Sequence, residues 1–330
     1  MDVFRLTREL IDIPSVTGDE FHIGTSLGEL LLRLGYRVEL QDVADERSNI
    51  IATTEAQPRF VLSTHMDTVP PFISSSEDDE FIYGRGSCDA KGIIAAQIAA
   101  AEQLRAEGFN EVGLLFTVDE EVASAGAKVA NEHPVAASCE YLINGEPTDN
   151  QLAIGTKGSI QTTIRTDGRA AHSAYPEQGE SAIEKLLEVL NDIRSVDWPD
   201  DEVFGETTCN IGILGGGVRA NVIPAEAHAT LHIRLAKESS LVKELLEQAI
   251  GGRAHIHYKS VHDPVRLFTM AGFDQMLARF TTDIPYLSNW GKALLIGPGS
   301  ILDAHTDGEK IRKSDLTKAV ELYVDLVKAL

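Results

Sequence analysis

The chain has few cysteines, no long apolar run and no excess of basic charge. The three cysteines among 330 residues, Cys88, Cys139 and Cys209, are too few and too scattered for a disulfide framework or a cysteine zinc site. No apolar run approaches the roughly 20 residues that a membrane span needs. The first residues also lack the apolar core of a signal peptide. We therefore expect a cytoplasmic protein that does not bind membranes.

The charge of the chain is strongly acidic. Twenty-nine Lys and Arg residues against fifty-one Asp and Glu residues give a formal net charge of −22. This charge argues against nucleic acid and anionic membranes as partners. A cationic substrate is compatible with it, although solubility explains it as well. The length predicts one large domain or two medium ones.

Apolar runs alternate with amphipathic segments over much of the chain. Three helices are predicted early: Val3–Ile11, a segment that starts at a capping box at Thr17 and runs to about Leu34, and Ile93–Glu107. The segment Ser74–Glu80 is polar and predicts a surface loop. Strands are predicted at Tyr36–Leu40, Ile50–Thr53, Phe60–Thr64, Val112–Val118, Tyr141–Ile143 and Ala293–Ile296. Alternating strands and helices favour an α/β fold on a mostly parallel sheet.

The pattern changes between about Lys157 and Asp263. Strands with alternating polar and apolar residues and two amphipathic helices follow in the order β-α-β-β-α-β. That order is typical of a two-layer, ferredoxin-like α+β sandwich with its helices on one face. We predict that residues 157–263 form a domain inserted into an α/β catalytic domain made of residues 1–156 and 264–330.

Potential metal ligands follow the predicted strands or lie in glycine-rich loops. They are two imidazoles and four carboxylates, namely His65, Asp89, Glu120, Glu121, Glu146 and His305. The carboxyl ends of strands in an open α/β sheet are where such sheets bind ligands. Imidazole and carboxylate suit zinc, and a pair of metals about 3.5–4 Å apart needs a bridging carboxylate. Asp89 is the natural bridge, and the adjacent Glu120 and Glu121 can divide proton transfer and metal binding between them.

Six motifs resemble the co-catalytic zinc family of acetylornithine deacetylase, succinyl-diaminopimelate desuccinylase, aminoacylase and carboxypeptidase G. They occur in the order found in that family and span nearly the whole chain: HMDTVPP, GRGSCDAKG, VDEEVASAGA, NGEPT, GGGVRANVIP and GPGSILDAHTDGE. The resemblance implies two divalent ions, zinc or else cobalt or manganese. It implies the metal ligands His65 and Glu146 for one ion, Glu121 and His305 for the other, and Asp89 as the bridge.

The resemblance also implies roles around the metals. Glu120 would be the general base, and Asp67 would orient His65, a common partnership for a metal-bound histidine. His172, in the segment AAHSAYPE, would reach the active site of the partner subunit in a homodimer. Asn221 would contact the substrate carbonyl and Arg234 its carboxylate.

The substrate loop before His305 is closest to one branch of that family. Gly299 and Ser300 belong to the segment GPGS, which looks like the form found in acetylornithine deacetylase. Two departures leave the substrate subclass open. Ala90 follows the bridge where many members have a second Asp, and the loop between His65 and Asp89 is short.

The implied reaction is hydrolysis of an N-acyl amino acid, such as the N-acetyl compound acetylornithine, by zinc-activated hydroxide. A succinyl-diaminopimelate desuccinylase is one alternative. A dipeptidase or carboxypeptidase, which cleaves a small peptide at the same centre, is another. A non-catalytic metal-binding homologue is an alternative of a different class, and the presence of Glu120 together with every expected ligand argues against it.

Overall fold

In the computed structural model, which describes residues 1–54 and 57–330, the helices predicted from the sequence lie close to their predicted positions, and two more, Ala125–Ala130 and Lys313–Ala329, were not predicted. The predicted capping role of Thr17 is wrong, because its hydroxyl donates to Asp67 (2.8 Å) and the second helix begins at Phe21. The helices are α1 (Val3–Ile11), α2 (Phe21–Arg33), α3 (Lys91–Ala106), α4 (Ala125–Ala130), α5 (Ala182–Arg194), α6 (Ser239–Ile250) and α7 (Lys313–Ala329). Within the described residues, no helix has both the length and the apolar stretch needed to cross a membrane.

The strands include every one predicted from the apolar runs. In the segment predicted as a surface loop, Ser76–Glu77 forms a short strand instead. The strands are β1 (Arg37–Ala44), β2 (Arg47–Thr53), β3 (Phe60–His65), β4 (Ser76–Glu77), β5 (Phe81–Tyr83), β6 (Val112–Thr117), β7 (Tyr141–Asn144), β8 (Leu152–Thr156), β9 (Gly158–Asp167), β10 (Asp200–Asp201), β11 (Gly205–Glu206), β12 (Thr208–Gly216), β13 (Glu226–Leu235), β14 (His255–His262), β15 (Val265–Arg266), β16 (Gln275–Ala278), β17 (Lys292–Leu295) and β18 (Lys310–Arg312).

The chain divides into two units. The first comprises Met1–Ile154, Leu267–Met276 and Thr282–Leu330, and the second comprises Gly155–Arg266 and Leu277–Thr281. The segment 157–263, predicted as an insertion, lies wholly within the second unit. The short segment Leu277–Thr281 belongs to that unit although no sequence pattern sets it apart from its neighbours.

A six-stranded, mostly parallel sheet forms the centre of the first unit, in the order β1–β2–β6–β3–β7–β17. Strands β3, β6, β7 and β17 pair in parallel, whereas β2 is antiparallel to its neighbours. Side chains alternate between the two faces, so Leu62 of β3 packs in the core cluster that includes α1, α2, α3 and α7, and Val61 packs in a second cluster with Trp290. The predicted α/β class is confirmed.

The central strand β3 sets the position of the candidate site. All six residues of β3 are buried, and β6 and β7 pair with it on opposite sides. The chain passes from β3 to β6 on one side and then to β7 on the other side of β3. In an open α/β sheet, a crevice forms outside the carboxyl ends of the strands where connections diverge in this way. His65 is the last residue of β3, and Glu120 and Glu146 follow β6 and β7.

The second unit has the predicted ferredoxin-like arrangement. Its four-stranded antiparallel sheet has the order β12–β13–β9–β14. Ala229, Leu231 and Ile233 of β13 are buried in a core with α5 and α6. Ser181 caps α5, since its hydroxyl oxygen accepts the N–H of Glu184 (3.2 Å).

Two helical glycines differ in the space around them and give a matched test of packing. A Cβ at Gly92 in α3 would lie 2.2 Å from the carbonyl oxygen of Ser87, whereas a Cβ at Gly24 in α2 would meet nothing nearer than the carbonyl oxygen of Ser48 at 3.9 Å. We expect Gly92→Ala to lower the free energy of unfolding by about 1–3 kcal/mol. Gly24→Ala should raise it by up to about 1 kcal/mol, because alanine favours a helix. Chemical denaturation measures both changes, and equal effects would contradict this account.

Candidate metal centre

The two carboxylate oxygens of Asp89 face two different histidines. Oδ1 lies 2.9 Å from Nε2 of His65, and Oδ2 lies 3.2 Å from Nε2 of His305. Asp89 is buried at the end of the glycine-rich loop that precedes α3. A carboxylate that presents one oxygen to each of two imidazoles has the placement required of a bridge between two metal ions.

Two further carboxylates extend this cluster. Oε1 of Glu121 lies 3.0 Å from Nε2 of His305. His65, Asp89 and Glu121 each offer one ligand atom, and these atoms lie within 4.8 Å of one another. Glu146 is buried after β7, its charge helps to raise the pKa of Glu120, and the charge of Glu121 helps to raise the pKa of Glu146. The first unit therefore brings together the side chains that the sequence nominated as ligands.

The electrostatics of the cluster favour bound cations. Burial, reinforced by neighbouring carboxylates, raises the pKa of Glu120, Glu121 and Glu146. Hydrogen bonds with Asp89 and Glu121 raise the pKa of His305 to about 10. Within residues 1–54 and 57–330, no Lys or Arg forms an ion pair with any of the four acids Asp89, Glu120, Glu121 and Glu146. Nitrogen and oxygen ligand atoms with this excess of negative charge fit divalent metals of the zinc type.

Asp67 contacts more than the histidine it was predicted to orient. Its carbonyl oxygen lies 2.9 Å from Nδ1 of His65, and its carboxylate Oδ1 lies 3.5 Å from the same atom. The carboxylate also accepts the backbone N–H groups of Glu120 (3.1 Å) and Glu121 (3.2 Å). Asp67 thus holds the turn that carries both glutamates as well as lying against His65.

A buried ion pair that the sequence did not reveal joins the segments bearing Asp89 and His305. Nη1 of Arg85 lies 2.5 Å from Oε2 of Glu309, and both side chains are buried. Oε1 of Glu309 accepts the backbone N–H groups of Gly86 (2.9 Å) and Asp89 (3.2 Å). Both residues lie in or beside quoted motifs, but nothing in the sequence pairs positions 224 residues apart.

Asp283 is a second side chain that sequence reasoning missed. It is buried, and its carboxylate accepts the hydroxyl of Thr117 (2.7 Å). Burial raises the pKa of Asp283 to about 6, and its charge acts on Glu120 and Glu146. Asp283 follows no apolar run and belongs to no motif, so no sequence pattern indicates it.

Gly299 and Ser300, predicted to contact the substrate, have packing contacts in the structure. Gly299 has a φ of +82°, and a Cβ there would lie 2.7 Å from the Cβ of Cys88. Its carbonyl oxygen accepts the N–H of Asp149 (2.8 Å), and Oγ of Ser300 lies 3.4 Å from the Asp149 carboxylate. These contacts fix the loop that follows Glu146, and substrate binding by the two residues stays a prediction.

The other three nominated residues belong to the second unit. Nδ1 of His172 accepts the N–H of Ala174 (3.1 Å), so a neutral His172 carries its proton on Nε2. The carbonyl of Asn221 accepts the N–H of Ser173 (3.1 Å), which brings these two loops together. Arg234 is half-buried on β13, and burial lowers its pKa. The roles of His172, Asn221 and Arg234 toward a substrate stay predictions.

Known proteins resemble this chain over nearly its whole length. The sequence model described as "Peptidase family M20/M25/M40" matches residues 61–329. A peptidase M20 domain-containing protein of Schizosaccharomyces pombe is 37% identical over 339 residues, covering 99% of this chain and 84% of that protein. A protein of Aspergillus niger named probable carboxypeptidase is 36% identical over 366 residues, covering 98% of this chain and 88% of that protein.

Solved structures share the fold. The crystal structure of an M20 family metallo-carboxypeptidase from Sulfolobus solfataricus matches with a TM-score of 0.80 and 17% identity, covering 99% of each chain. The two curated relatives above are named as a peptidase and a carboxypeptidase. The predicted closeness to acetylornithine deacetylase therefore stays a prediction.

We expect two divalent cations to bind per chain. Isothermal titration of chelator-stripped protein with zinc, checked by elemental analysis, measures this stoichiometry. Asp89→Asn removes the charge and one acceptor oxygen of the bridge, and we expect it to weaken binding by more than the about 10–100-fold typical of outer partners. Asp79→Asn, at an exposed carboxylate of the same unit, is the matched control. Wild-type stoichiometry and affinity in Asp89→Asn would contradict the bridging role.

Proposed function

Because the chain belongs to the peptidase family M20/M25/M40, we propose that it is a metal-dependent carboxypeptidase that removes the last residue of small peptides. The observation that carries the proposal is the Asp89 carboxylate, which faces both His65 and His305 beside the Glu120–Glu121 turn. The names of the relatives support a peptide substrate. The cytoplasmic location stays a prediction from the sequence.

The side chains of the first unit would hold two metal ions. His65 and Glu146 would bind one, Glu121 and His305 the other, and Asp89 would lie between them. When bound, such ions polarise the scissile carbonyl and make a nucleophile available near neutral pH. Zinc fits the mixed nitrogen and oxygen ligands, and cobalt or manganese would serve as substitutes.

Glu120 is the proposed proton carrier. It shares a turn with Glu121 but is not assigned to a metal. Burial and the charge of Glu146 raise the pKa of Glu120, which makes its carboxylate a stronger base. It would accept a proton from the attacking water and deliver it to the leaving amine, as general acid–base catalysis requires.

The proposed substrate contacts come from the second unit. The Nε2 proton of His172 would be donated to the oxyanion that forms at the cleaved carbonyl. Asn221 would contact the same carbonyl. Arg234 would bind the free α-carboxylate of the last residue through a forked, charge-assisted pair. A substrate without that carboxylate would lose this contact.

A second candidate is a deacetylase of N-acetyl amino acids such as acetylornithine. Its support is the resemblance of the segment from Gly297 to Ser300 to the acetylornithine deacetylase form. A succinyl-diaminopimelate desuccinylase has less support, since burying a second substrate carboxylate without a cationic partner costs several kcal/mol.

One amino acid presented in several blocked forms separates these functions. We expect kcat/KM for an N-blocked dipeptide or a free dipeptide to exceed that for the N-acetyl amino acid by at least about 10-fold. Amidation of the C-terminal carboxylate should abolish turnover because Arg234 loses its partner.

The outcomes of that assay are distinct. Preference for the N-acetyl compound would replace the carboxypeptidase with the deacetylase, and preference for the N-succinyl compound would favour the desuccinylase. Glu120→Gln is the control for contaminating hydrolases, because it should keep two metal ions yet lose about 10²–10⁴-fold in kcat. No turnover of any substrate by metal-loaded protein would identify a non-catalytic homologue.

We also propose a homodimer in which His172 acts on the partner's active site. Its support in the second unit is the edge strand β12, where Ile213 and Leu214 are each 58% exposed. A sheet edge with exposed apolar side chains is a surface available for pairing.

Mixing two inactive variants tests the homodimer. Glu120→Gln subunits supply an intact His172, and His172→Ala subunits supply an intact Glu120. If subunits exchange freely, half of the dimers are hybrids with one intact site, so about one quarter of wild-type activity should return. Light scattering gives the mass of the active species. A fully active monomer would rule out the shared site.

A further inference from the structure

A closed ring of hydrogen bonds surrounds the turn that carries Glu120 and Glu121. On one side of the ring, the Arg47 guanidinium binds both carboxylate oxygens of Glu20, each at 2.7 Å. Glu20 also accepts the N–H of Gly18 (3.0 Å). Thr17, which directly precedes Gly18, donates its hydroxyl to Asp67 (2.8 Å). This side of the ring therefore links Arg47 to Asp67.

The other side of the ring passes through the turn itself. Asp67 accepts the backbone N–H groups of Glu120 and Glu121. The preceding residue, Asp119, accepts a hydrogen bond from Nη2 of Arg47 (2.7 Å), which closes the ring. All of these residues lie in the first unit.

Asp119 is the strained member of the ring. Its φ of +70° is in the left-handed region, which a residue other than glycine adopts at a cost unless its surroundings hold it there. Arg47 binds one oxygen of the Asp119 carboxylate, and the N–H of Ala125 binds the other (3.2 Å). The side chains are 17% exposed for Arg47, 1% for Glu20 and 10% for Asp119. Loss of Arg47 would leave two largely buried carboxylates without their cation.

We propose that Arg47 is a positioning residue for catalysis, because it fixes Asp119 and so sets the backbone of Glu120 and Glu121. This inference rests on the proposed function. Glu121 is held a second time by any metal it binds, whereas Glu120 depends on the protein alone. Loss of Arg47 therefore acts on proton transfer, and hence on kcat, more than on KM or on metal stoichiometry.

The main test replaces Arg47 by lysine in the metal-loaded enzyme. Lysine keeps the charge but lacks the planar fork that serves two carboxylates. We expect two bound metal ions, KM within about twofold of wild type and kcat lower by about 10–100-fold, the loss typical of a small misplacement of reacting groups. Arg105→Lys is the matched control, since Arg105 is another partly buried arginine paired with a carboxylate, Glu102 on α3. It should leave kcat unchanged.

Amide hydrogen exchange gives a readout that does not depend on activity. In metal-free protein, Arg47→Lys should speed exchange at the N–H groups of Glu120 and Glu121 by at least about 10-fold, because the ring no longer holds the turn. Asp119→Asn should have a similar effect. The double variant should add little, because both changes open the same ring.

Two results would overturn the inference. One is an Arg47→Lys variant with a lower melting temperature but unchanged kcat and unchanged exchange, which would make Arg47 purely structural. The other is a joint loss of kcat, substrate affinity and metal stoichiometry, which would mean general disruption. If wild-type protein hydrolyses none of the substrates, the proposed function fails, and the exchange measurement alone still decides whether Arg47 holds the turn.

Discussion

Several carboxylates are buried together at one edge of the central sheet, and the repulsion among them constrains the loops and side chains that surround them. Asp89 and Glu146 are each about 5% exposed, and Asp283 is 2% exposed. An ionised carboxylate taken out of water carries a penalty of several kcal/mol unless opposite charges or hydrogen-bond donors meet it. His65 and His305 supply part of that compensation, and the arrangement of the free oxygens suits divalent cations for the rest.

The structure divides its acidic residues between two tasks. Glu309 and Asp67 accept backbone N–H groups from the loops that carry Asp89 and the Glu120–Glu121 turn. Because those N–H groups are already satisfied, the oxygens of Asp89 and Glu121 are left to the two imidazoles. One set of carboxylates thus shapes the backbone, and the other presents ligand atoms.

Much of this architecture could be predicted from sequence because its signals are local. The buried strand β3 begins with the apolar residues Phe60, Val61 and Leu62, and His65 ends the same strand. The predicted start of α2 at Thr17 shows where local reasoning fails, because the helix begins at Phe21. The spacing of Thr17 and Glu20 is that of a capping box, yet Arg47 binds the Glu20 carboxylate and the Thr17 hydroxyl bonds to Asp67 instead. A capping prediction from local spacing cannot anticipate competing partners, here Arg47 and Asp67, from distant parts of the chain.

The supporting residues were hidden for the same reason. Arg85 pairs with Glu309 across 224 residues, and Asp283 meets Thr117 across 166, so no periodicity or spacing links them. Their importance follows from burial, which appears once the chain is folded. The place of Leu277–Thr281 in the second unit was hidden as well, because β16 (Gln275–Ala278), which crosses the boundary between the units, is too short to show a pattern.

The insertion of one unit into the other has a consequence for the order of events during synthesis. Nearly all of the second unit is a single stretch, Gly155–Arg266, whereas the first unit needs both ends of the chain. Glu121 precedes its partner His305 by 184 residues. A ribosome adding about 5–20 residues per second makes that an interval of roughly 10–40 s. Throughout the interval the acidic edge of the nascent sheet lacks His305, and within it all four strands of the inserted unit's sheet are made, the last of them ending at His262. The inserted unit can therefore complete its sheet before the metal centre has all of its ligands.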